Sequence, residues 1–216
     1  MQIVIFGAPG AGKGTQAKIL SKRFNIPHIS TGDILRDSVA RATALGNAAK
    51  EIIESGELVS DDLMGGLVKE TLQNIDFDKG FILDGFPRTV NQAEILLNIF
   101  ESLKINNPYF IVLEADHEVI VSRLSSRREC SNCRAIVNLH DIEDPKVYPN
   151  CEAIDTLMKR KDDDEVVIMN RLKIYDDSTL PILNFYRDKF NIISVDGTDS
   201  IDEITNNILF AIEGAA

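Results

Sequence analysis

Several common features are missing from this sequence, and each absence narrows what the protein can be. No apolar run approaches the roughly 18 residues that a membrane span needs. The early apolar run QIVIF at residues 2–6 is short and ends in glycines, which does not fit a secretory signal. We therefore expect a cytoplasmic protein that does not bind membranes. The net charge is −11, so a general nucleic-acid surface is not expected, and any anion must be bound by locally gathered basic groups.

Cysteine and histidine are scarce, with three of each in 216 residues. The odd number of thiols does not suit a disulfide framework, so metal ligation has to be considered. Cys130 and Cys133 form a C-x2-C pair, and Cys151 follows after 17 residues, which is most of a zinc-ribbon spacing. No histidine or serine constellation at catalytic spacing is evident.

What is present is an alternation of short β-rich runs with amphipathic helical stretches. Five candidate strands are apolar and rich in Ile, Val or Phe, as buried parallel strands are; they cover 2–6, 27–30, 81–83, 109–114 and 192–195. Candidate helices cover about 14–24, 33–41, 61–73, 90–101, 117–128, 163–187 and 200–213. This order predicts one α/β domain in which helices cover both faces of a parallel sheet. Residues 129–162 do not follow this alternation of strands and helices and are interpreted as an insertion.

The glycine-rich stretch GAPGAGKGT at residues 7–15 joins the first strand to the first helix. Gly7, Gly12 and Lys13 fit the phosphate-loop pattern, with Gly14 directly after the lysine as a departure from it. Glycines let the backbone aim several N–H groups at one anion, and the following helix adds the positive end of its dipole. The alternative is a plain strand-to-helix turn, but composition, spacing and context favour a phosphate loop.

Charged residues downstream indicate what is done with the phosphate. FILDGFPR at residues 81–88 places Asp84 at the carboxyl end of a strand, where ligands collect in open α/β sheets. A carboxylate there suits Mg²⁺ through coordinated water, and the alternative is a cap of the turn before Gly85. Arg88 can place its planar guanidinium group on a phosphate.

Arginine is abundant for an acidic protein, and its spacing is informative. Arg123 and Arg127 are four residues apart on a predicted helix and share a face, whereas Arg160 and Arg171 are eleven apart, or about three helical turns. Any one of them alone would be a solvated or salt-bridged side chain by default. Together with the phosphate loop, the set favours a clamp for more than one phosphate group.

Over essentially its whole length the sequence resembles the adenylate kinases, of the bacterial type with a long lid. The resemblance rests on GAPGAGKGT at 7–15, ISTGDILR at 29–36, GELVSD at 56–61, ILDGFPRT at 82–89 with Gln92, RLSSRR at 123–128, KRKDD at 159–163, NRL at 170–172 and VDGT at 195–198. It implies a P-loop NTPase fold with a CORE domain (1–29, 60–125 and 164–216), an AMP-binding segment (30–59) and a lid (126–163). It also implies a monomer that reversibly transfers a phosphoryl group from Mg-bound ATP to AMP, giving two ADP.

The resemblance also implies roles for individual residues. Expected in catalysis are Lys13, Asp84, Arg88, Arg123, Arg160 and Arg171. Expected at ATP are Gly10, Ala11, Gly12, Lys13, Gly14 and Thr15 around the phosphates, with Arg127, Ile136, Val137 and Asp199 near adenine. Expected at AMP are Thr31, Arg36, Glu57, Leu58, Val59, Gly85, Phe86, Pro87, Arg88, Gln92, Arg160 and Arg171. Asp162 and Asp163 are expected to pair with lid arginines.

Related lids carry a structural zinc ion, whose fourth ligand is a Cys or Asp three residues after the third cysteine. That position is Ile154 here, which cannot ligate, so Asp155 is the expected fourth ligand after Cys130, Cys133 and Cys151. A metal-free lid with three reduced thiols is the alternative.

Other functions remain open at this stage. A UMP/CMP-type kinase would share the phosphate loop, as would a nucleotide sensor without phosphotransfer. Arg36, Arg88 and Gln92 argue against the sensor, which has no use for a second phosphate site. A zinc-ribbon nucleic-acid module conflicts with the negative charge.

Overall fold

The computed structural model describes residues 1–77, 79–142, 151 and 155–214. Its centre is a five-stranded sheet in the order β2-β3-β1-β4-β8, and every neighbouring pair is parallel. The strands are β1 (Gln2–Gly7), β2 (His28–Ser30), β3 (Phe81–Asp84), β4 (Tyr109–Glu114) and β8 (Ile192–Asp196). The predicted α/β class with five parallel strands is confirmed.

Helices pack on both faces of this sheet because the strands are apolar at nearly every position. The helices are α1 (Lys13–Phe24), α2 (Thr31–Ala40), α3 (Ala44–Ser55), α4 (Asp61–Gln73), α5 (Val90–Leu103), α6 (His117–Ser126), α7 (Glu165–Ile174), α8 (Pro181–Tyr186) and α9 (Ile201–Gly214). Val4 and Phe110 join one buried cluster with Leu96 of α5, whereas Ile3 and Ile111 join the cluster on the opposite face. This alternation follows from the two-residue period of a strand.

Two predicted helices have different ends in the structure. The stretch predicted as one helix over 163–187 is divided by a π-helical segment at Tyr175–Thr179, in which the Leu180 N–H donates to the Tyr175 carbonyl at 2.8 Å. Pro181 follows at the start of α8, and its missing N–H accounts for the interruption. Helix α6 ends at Ser126 rather than 128 because Arg127 takes an extended backbone and begins β5.

The predicted insertion builds a sheet of its own. Strands β5 (Arg127–Cys130), β6 (Ile136–Asn138) and β7 (Leu157–Met158) pair in the order β6-β5-β7, and both pairs are antiparallel. Ile154 lies outside the described residues. The boundaries of the AMP-binding segment and the lid stay predictions. Across the described parts of the chain, no helix has both the length and the apolar character that crossing a membrane requires.

Candidate active site

The glycine-rich loop after β1 is shaped by backbone angles that favour glycine. Gly7 has φ of 140°, and a Cβ there would lie 2.5 Å from the Leu113 carbonyl oxygen. Gly10 has φ of 84°, and a Cβ there would lie 2.9 Å from Cγ of Leu124. The loop therefore lies directly against β4 and α6, and larger side chains cannot replace these glycines without strain.

Lys13 begins α1 and folds back over this loop. Its ammonium donates to the carbonyls of Gly7 at 2.7 Å and Ala8 at 2.8 Å. Burial lowers the pKa of Lys13 from 10.5 to about 8, Asp84 acts in the opposite direction, and the charges of Arg88, Arg171 and Arg127 lower it further. Several positive groups thus lie close together around the loop, and an anion bound there would reduce their mutual repulsion.

Asp84 ends β3 beside the same loop. Its carboxylate Oδ2 would lie 3.5 Å from a Cβ at Gly14, and it is 3.4 Å from Nε2 of His28. The carboxylate is largely buried, with an exposed side-chain fraction of 11%. A hard cation with oxygen ligands is the kind of ligand that such a group can hold, directly or through water.

Two adjoining pockets lie at this edge of the sheet. The first is lined by nine of the twelve residues expected at AMP, namely Thr31, Arg36, Glu57, Leu58, Val59, Gly85, Arg88, Gln92 and Arg171. Phe86 and Pro87 line the second pocket together with Gly7 and Lys13 of the phosphate loop. Gly56, Leu58, Gly85, Arg88 and Arg171 line both. The two pockets therefore share a wall that carries two guanidinium groups, and Lys13 is the one residue expected at ATP that lines either of them.

Arg88 lies in that shared wall. Its Nε donates to the Gly85 carbonyl at 2.8 Å, and its own carbonyl accepts from the Thr179 hydroxyl at 2.9 Å. Burial lowers the pKa of Arg88, and Asp84 partly compensates. Within the described residues the Arg88 guanidinium forms no ion pair with a carboxylate. Its charge is therefore available for a phosphate to neutralise.

Four other arginines of the predicted site are each paired with a carboxylate, and one of these pairs joins Arg36 to Asp33 at 2.5 Å. Arg127 binds Asp163 through two hydrogen bonds, Nε to Oδ2 at 2.8 Å and Nη2 to Oδ1 at 2.5 Å. Arg171 donates to Oδ2 of Asp162 at 3.0 Å and to its carbonyl at 2.9 Å. The fourth pair joins Arg160 to Glu129 at 2.5 Å. Asp163 thus contacts an arginine of the predicted lid, whereas Asp162 contacts Arg171, which lies in the predicted CORE domain.

Burial lowers the pKa of Arg171 to about 10, with Asp162 acting in the opposite direction. Burial alone would raise the pKa of Asp162, but the neighbouring guanidinium groups, with Arg171 first, hold it below its ordinary value. Both members of the pair stay charged at neutral pH.

Arg123 and Arg127 point to different regions. The Arg123 guanidinium donates to the carbonyls of Gly197 at 2.5 Å and Thr198 at 3.3 Å, next to Asp199. Arg127, by contrast, is near enough to Lys13 to lower its pKa. The sequence-based expectation places Arg123 at phosphate and Arg127 at adenine, and both roles stay predictions. Ile136 and Val137 lie on β6, across from Glu129 and Arg128.

The three cysteines come together in the small sheet. Their sulfur atoms all lie within 4.8 Å of one another, and Cys130 Sγ is 3.8 Å from Cys151 Sγ. The Cys133 N–H and the Thr156 hydroxyl, the latter at 3.1 Å, lower the pKa of the Cys130 thiol to about 6. Asp155 does not join this group in the described part of the chain; it lies in a turn with φ of 56°. Its prediction as fourth ligand is therefore not supported by the geometry.

Asp61 and Glu129 are among the residues that contact predicted site residues although the sequence patterns assign them no role. Asp61 accepts a hydrogen bond from Gln92 at 2.8 Å, and Glu129 pairs with Arg160. Asp61 was part of the quoted GELVSD segment, but its contact is with a residue 31 positions away. A local sequence pattern does not predict a contact between residues so far apart in the chain.

The comparisons with known proteins agree with this geometry. The adenylate kinase family model matches residues 5–191. A curated adenylate kinase from Methanocella arvoryzae is 46% identical over the full length of both chains. Another from Kosmotoga olearia is 45% identical over 99% of each chain, and one from Clostridium botulinum (strain 657 / Type Ba4) is 43% identical over 96% of each. Both kinds of match extend over most of the sequence, and the chain belongs to the adenylate kinase family.

Proposed function

We propose that this chain is a phosphotransferase that reversibly moves a phosphoryl group from Mg-bound ATP to AMP, giving two ADP. The observation that carries the proposal is the wall between the pocket lined by residues expected at AMP and a second pocket that reaches Lys13 of the phosphate loop; Arg88 and Arg171 line both. An acceptor in the first pocket would meet the phosphates of a donor at the loop with these guanidinium groups between them. The relatives named adenylate kinase support the same reaction.

The chemistry needs charge neutralisation rather than a general base. An AMP phosphate oxygen is already anionic at neutral pH, so it can act as the nucleophile without losing a proton to the enzyme. Phosphoryl transfer then depends on positioning and on stabilising the charge of the transferring group. Lys13, Arg88 and Arg171 would serve this role, and their common position in the lining of the second pocket supports it.

We assign Arg127 to the phosphate side of the ATP site and Arg123 to the adenine side. Arg127 is among the charges that act on Lys13, whereas Arg123 lies against Gly197 and Thr198 beside Asp199. This reverses the roles that the sequence suggested. In both roles the planar guanidinium suits the partner, since it can bind phosphate through two hydrogen bonds or stack on a ring.

Asp84 would hold Mg²⁺ through coordinated water. The carboxylate lies beside Gly14 of the phosphate loop, and its donor atoms fit a hard cation. When bound, the ion would help to neutralise the ATP phosphates. His28 contacts the same carboxylate at 3.4 Å and would help to fix its orientation.

The segments 30–59 and 126–163 would act as mobile elements that exclude water from the site. Water competes with AMP as the phosphoryl acceptor, so a site that closes over both nucleotides prevents ATP hydrolysis. Two ion pairs join these segments: Lys161 to Glu54 at 2.8 Å and Arg134 to Asp37. They support a closed arrangement as one state of this chain.

A structural zinc ion would be held in the lid by Cys130, Cys133 and Cys151. Tetrahedral thiolate ligands at about 2.3 Å from zinc are about 3.8 Å apart, which the Cys130–Cys151 distance of 3.8 Å matches. The fourth position would be filled by water or by a group other than Asp155. The zinc ion would stabilise a small sheet that has little apolar core.

A coupled assay with AMP, UMP, CMP and GMP as separate acceptors tests the function. We expect AMP to be preferred, and a dinucleotide that joins two adenosines through phosphates should compete with both substrates. Equal or higher activity with UMP or CMP would instead favour the pyrimidine-specific alternative. ATP binding without transfer to any acceptor would favour a sensor. We further propose a cytoplasmic monomer that does not bind nucleic acid or membranes.

A further inference from the structure

Three side chains converge on one carboxylate next to the candidate AMP pocket. Asp61, the first residue of α4, accepts from Gln92 Nε2 at 2.8 Å and Thr89 Oγ1 at 3.1 Å through Oδ1. Its Oδ2 accepts from Asn91 Nδ2 at 2.9 Å. The three donors come from the start of α5, and bonds to an ionised acceptor are the stronger kind.

Gln92 is also held from its other end. Its Oε1 accepts the Arg88 backbone N–H at 2.8 Å, and the side chain is buried, with an exposed fraction of 2% for the residue. An ionised carboxylate can only accept and a backbone N–H can only donate. A flipped amide would therefore set oxygen against oxygen at Asp61 and N–H against N–H at Arg88.

The consequence is a single orientation for a buried amide in a pocket wall. Beyond these two bonds, Gln92 has one further N–H and one further lone pair with which to meet a ligand. Gln92 lines the pocket that also contains Thr31 and Arg36. A 6-amino purine offers a donor at position 6 and an acceptor at N1, whereas a 6-oxo purine offers the reverse order. A fixed amide can match only one of these orders.

We propose that Asp61 is a positioning residue that fixes the donor–acceptor order which Gln92 presents, so that the chain selects a 6-amino over a 6-oxo purine monophosphate as acceptor. The inference rests on the proposed role of Gln92 at the base of AMP. Accepting a 6-oxo purine would require the amide to turn, which would set its oxygen against Oδ1 of Asp61 and its N–H against the Arg88 N–H. A mismatch of this kind gives strong discrimination.

The test measures kcat/KM with AMP and with inosine monophosphate for Asp61→Ala, using Asp62→Ala as the matched control. Both variants lose a carboxylate from the first turn of α4, so both lose the same favourable contact with the helix dipole. Asp62 is exposed and makes no side-chain hydrogen bond within the described residues. A purely structural role for the acidic start of α4 would affect both variants alike.

We expect Asp61→Ala to lower the AMP-to-IMP ratio of kcat/KM about tenfold, equivalent to about 1.4 kcal/mol, through a rise in KM for AMP. The KM for ATP should stay within about twofold of the unchanged chain, and Asp62→Ala should keep the ratio within the same margin. Asn91→Ala, which removes the donor to Oδ2 but not the Gln92 bond, should also keep it. A ratio in Asp61→Ala equal to that of Asp62→Ala would overturn the proposal.

Gln92→Leu separates this inference from the function on which it rests. If discrimination survives in Gln92→Leu, the assignment of Gln92 to the base is wrong. If Gln92→Leu loses discrimination and Asp61→Ala retains it, only the role of Asp61 is wrong. Should Asp61→Ala not fold, Asp61→Asn keeps the shape and removes the charge; we expect about a threefold fall in the ratio, and an unchanged ratio would reject the proposal.

Discussion

Arg88→Ala should reduce turnover by at least ~100-fold while the fold survives. The guanidinium lies in the wall between the two pockets and forms no ion pair within the described residues. Arginines that act on a transferring phosphoryl group contribute about 10³–10⁵ in rate in other phosphoryl-transfer enzymes. A ~100-fold loss, or about 2.7 kcal/mol of transition-state stabilisation, is therefore a lower bound.

The stability of the ligand-free chain should change little. Arg88→Ala loses one hydrogen bond to the Gly85 carbonyl, a loss of about 1 kcal/mol. It also removes a buried charge whose neighbours include Arg36, and this relief acts in the opposite direction. For a chain of this length, 1 kcal/mol corresponds to a shift of about 2–4 °C in Tm, so we expect a shift no larger than that.

The assay follows ADP formation from ATP and AMP at saturating concentrations of both, together with thermal unfolding of the same samples. Arg23→Ala is the matched control, since Arg23 is exposed in the last turn of α1. Arg88→Lys should recover only part of the activity, because an ammonium group lacks the planar fork. Near-normal turnover in a folded Arg88→Ala protein would refute the assignment.

Three further predictions concern charge and metal. Burial lowers the pKa of Lys13 from 10.5 to about 8, so the folded chain binds fewer protons than the unfolded chain between these two pH values. The free energy of unfolding of the unchanged chain, measured with urea and compared with that of Lys13→Met, should therefore rise from pH 8 to 10.5. A difference that does not change with pH would contradict this. Asp163→Asn leaves Arg127 without its buried carboxylate and should lower the free energy of unfolding by about 2–4 kcal/mol. Asp164→Asn, at an exposed ion pair, should lower it by less than about 1 kcal/mol. Equal effects would argue against a special role for the buried pair. Elemental analysis should find about one zinc per purified chain and Cys133→Ser should lose it, whereas under ~0.2 zinc per unchanged chain would reject the site.

The central sheet and the phosphate loop could be predicted because their signals are local. Each buried strand is a continuous apolar run, and the loop carries its glycines and Lys13 within nine residues. The prediction placed each of the five strands within one residue of its observed ends. It also placed Asp84 at the edge where the pockets lie, since strand ends in an open parallel sheet gather there.

Other features depend on contacts between elements. Helix α3 was missing from the list of candidate helices although Leu45, Ile52 and Ile53 follow a helical spacing and pack against the core, so this omission was wrong on local grounds. Gly46 permits a close approach to α2, since a Cβ there would lie 2.0 Å from the Ser38 carbonyl oxygen. Such a contact is set by tertiary packing. The same holds for the opposite directions of Arg123 and Arg127, which share a helical face in the sequence pattern but lie on either side of the end of α6.

The carboxylates around the site explain how so many arginines can gather there. Like charges repel, and burial lowers the pKa of Arg160 and Arg171 further. Asp163, Asp162 and Glu129 offset this by holding Arg127, Arg171 and Arg160.

These ion pairs also limit the free energy that nucleotide binding can gain from the arginines. A phosphate that reaches a paired arginine must share it with a carboxylate or displace that carboxylate, whereas a phosphate that reaches Arg88 displaces none within the described residues. The free energy gained from Arg88 should therefore exceed that gained from Arg127, Arg160 or Arg171. For Arg127 the gain should be reduced by the strength of its two hydrogen bonds to Asp163. Measured losses in kcat/KM for Arg88→Ala and Arg127→Ala should follow that order; a greater loss in Arg127→Ala would mean that Asp163 releases its partner when nucleotide binds.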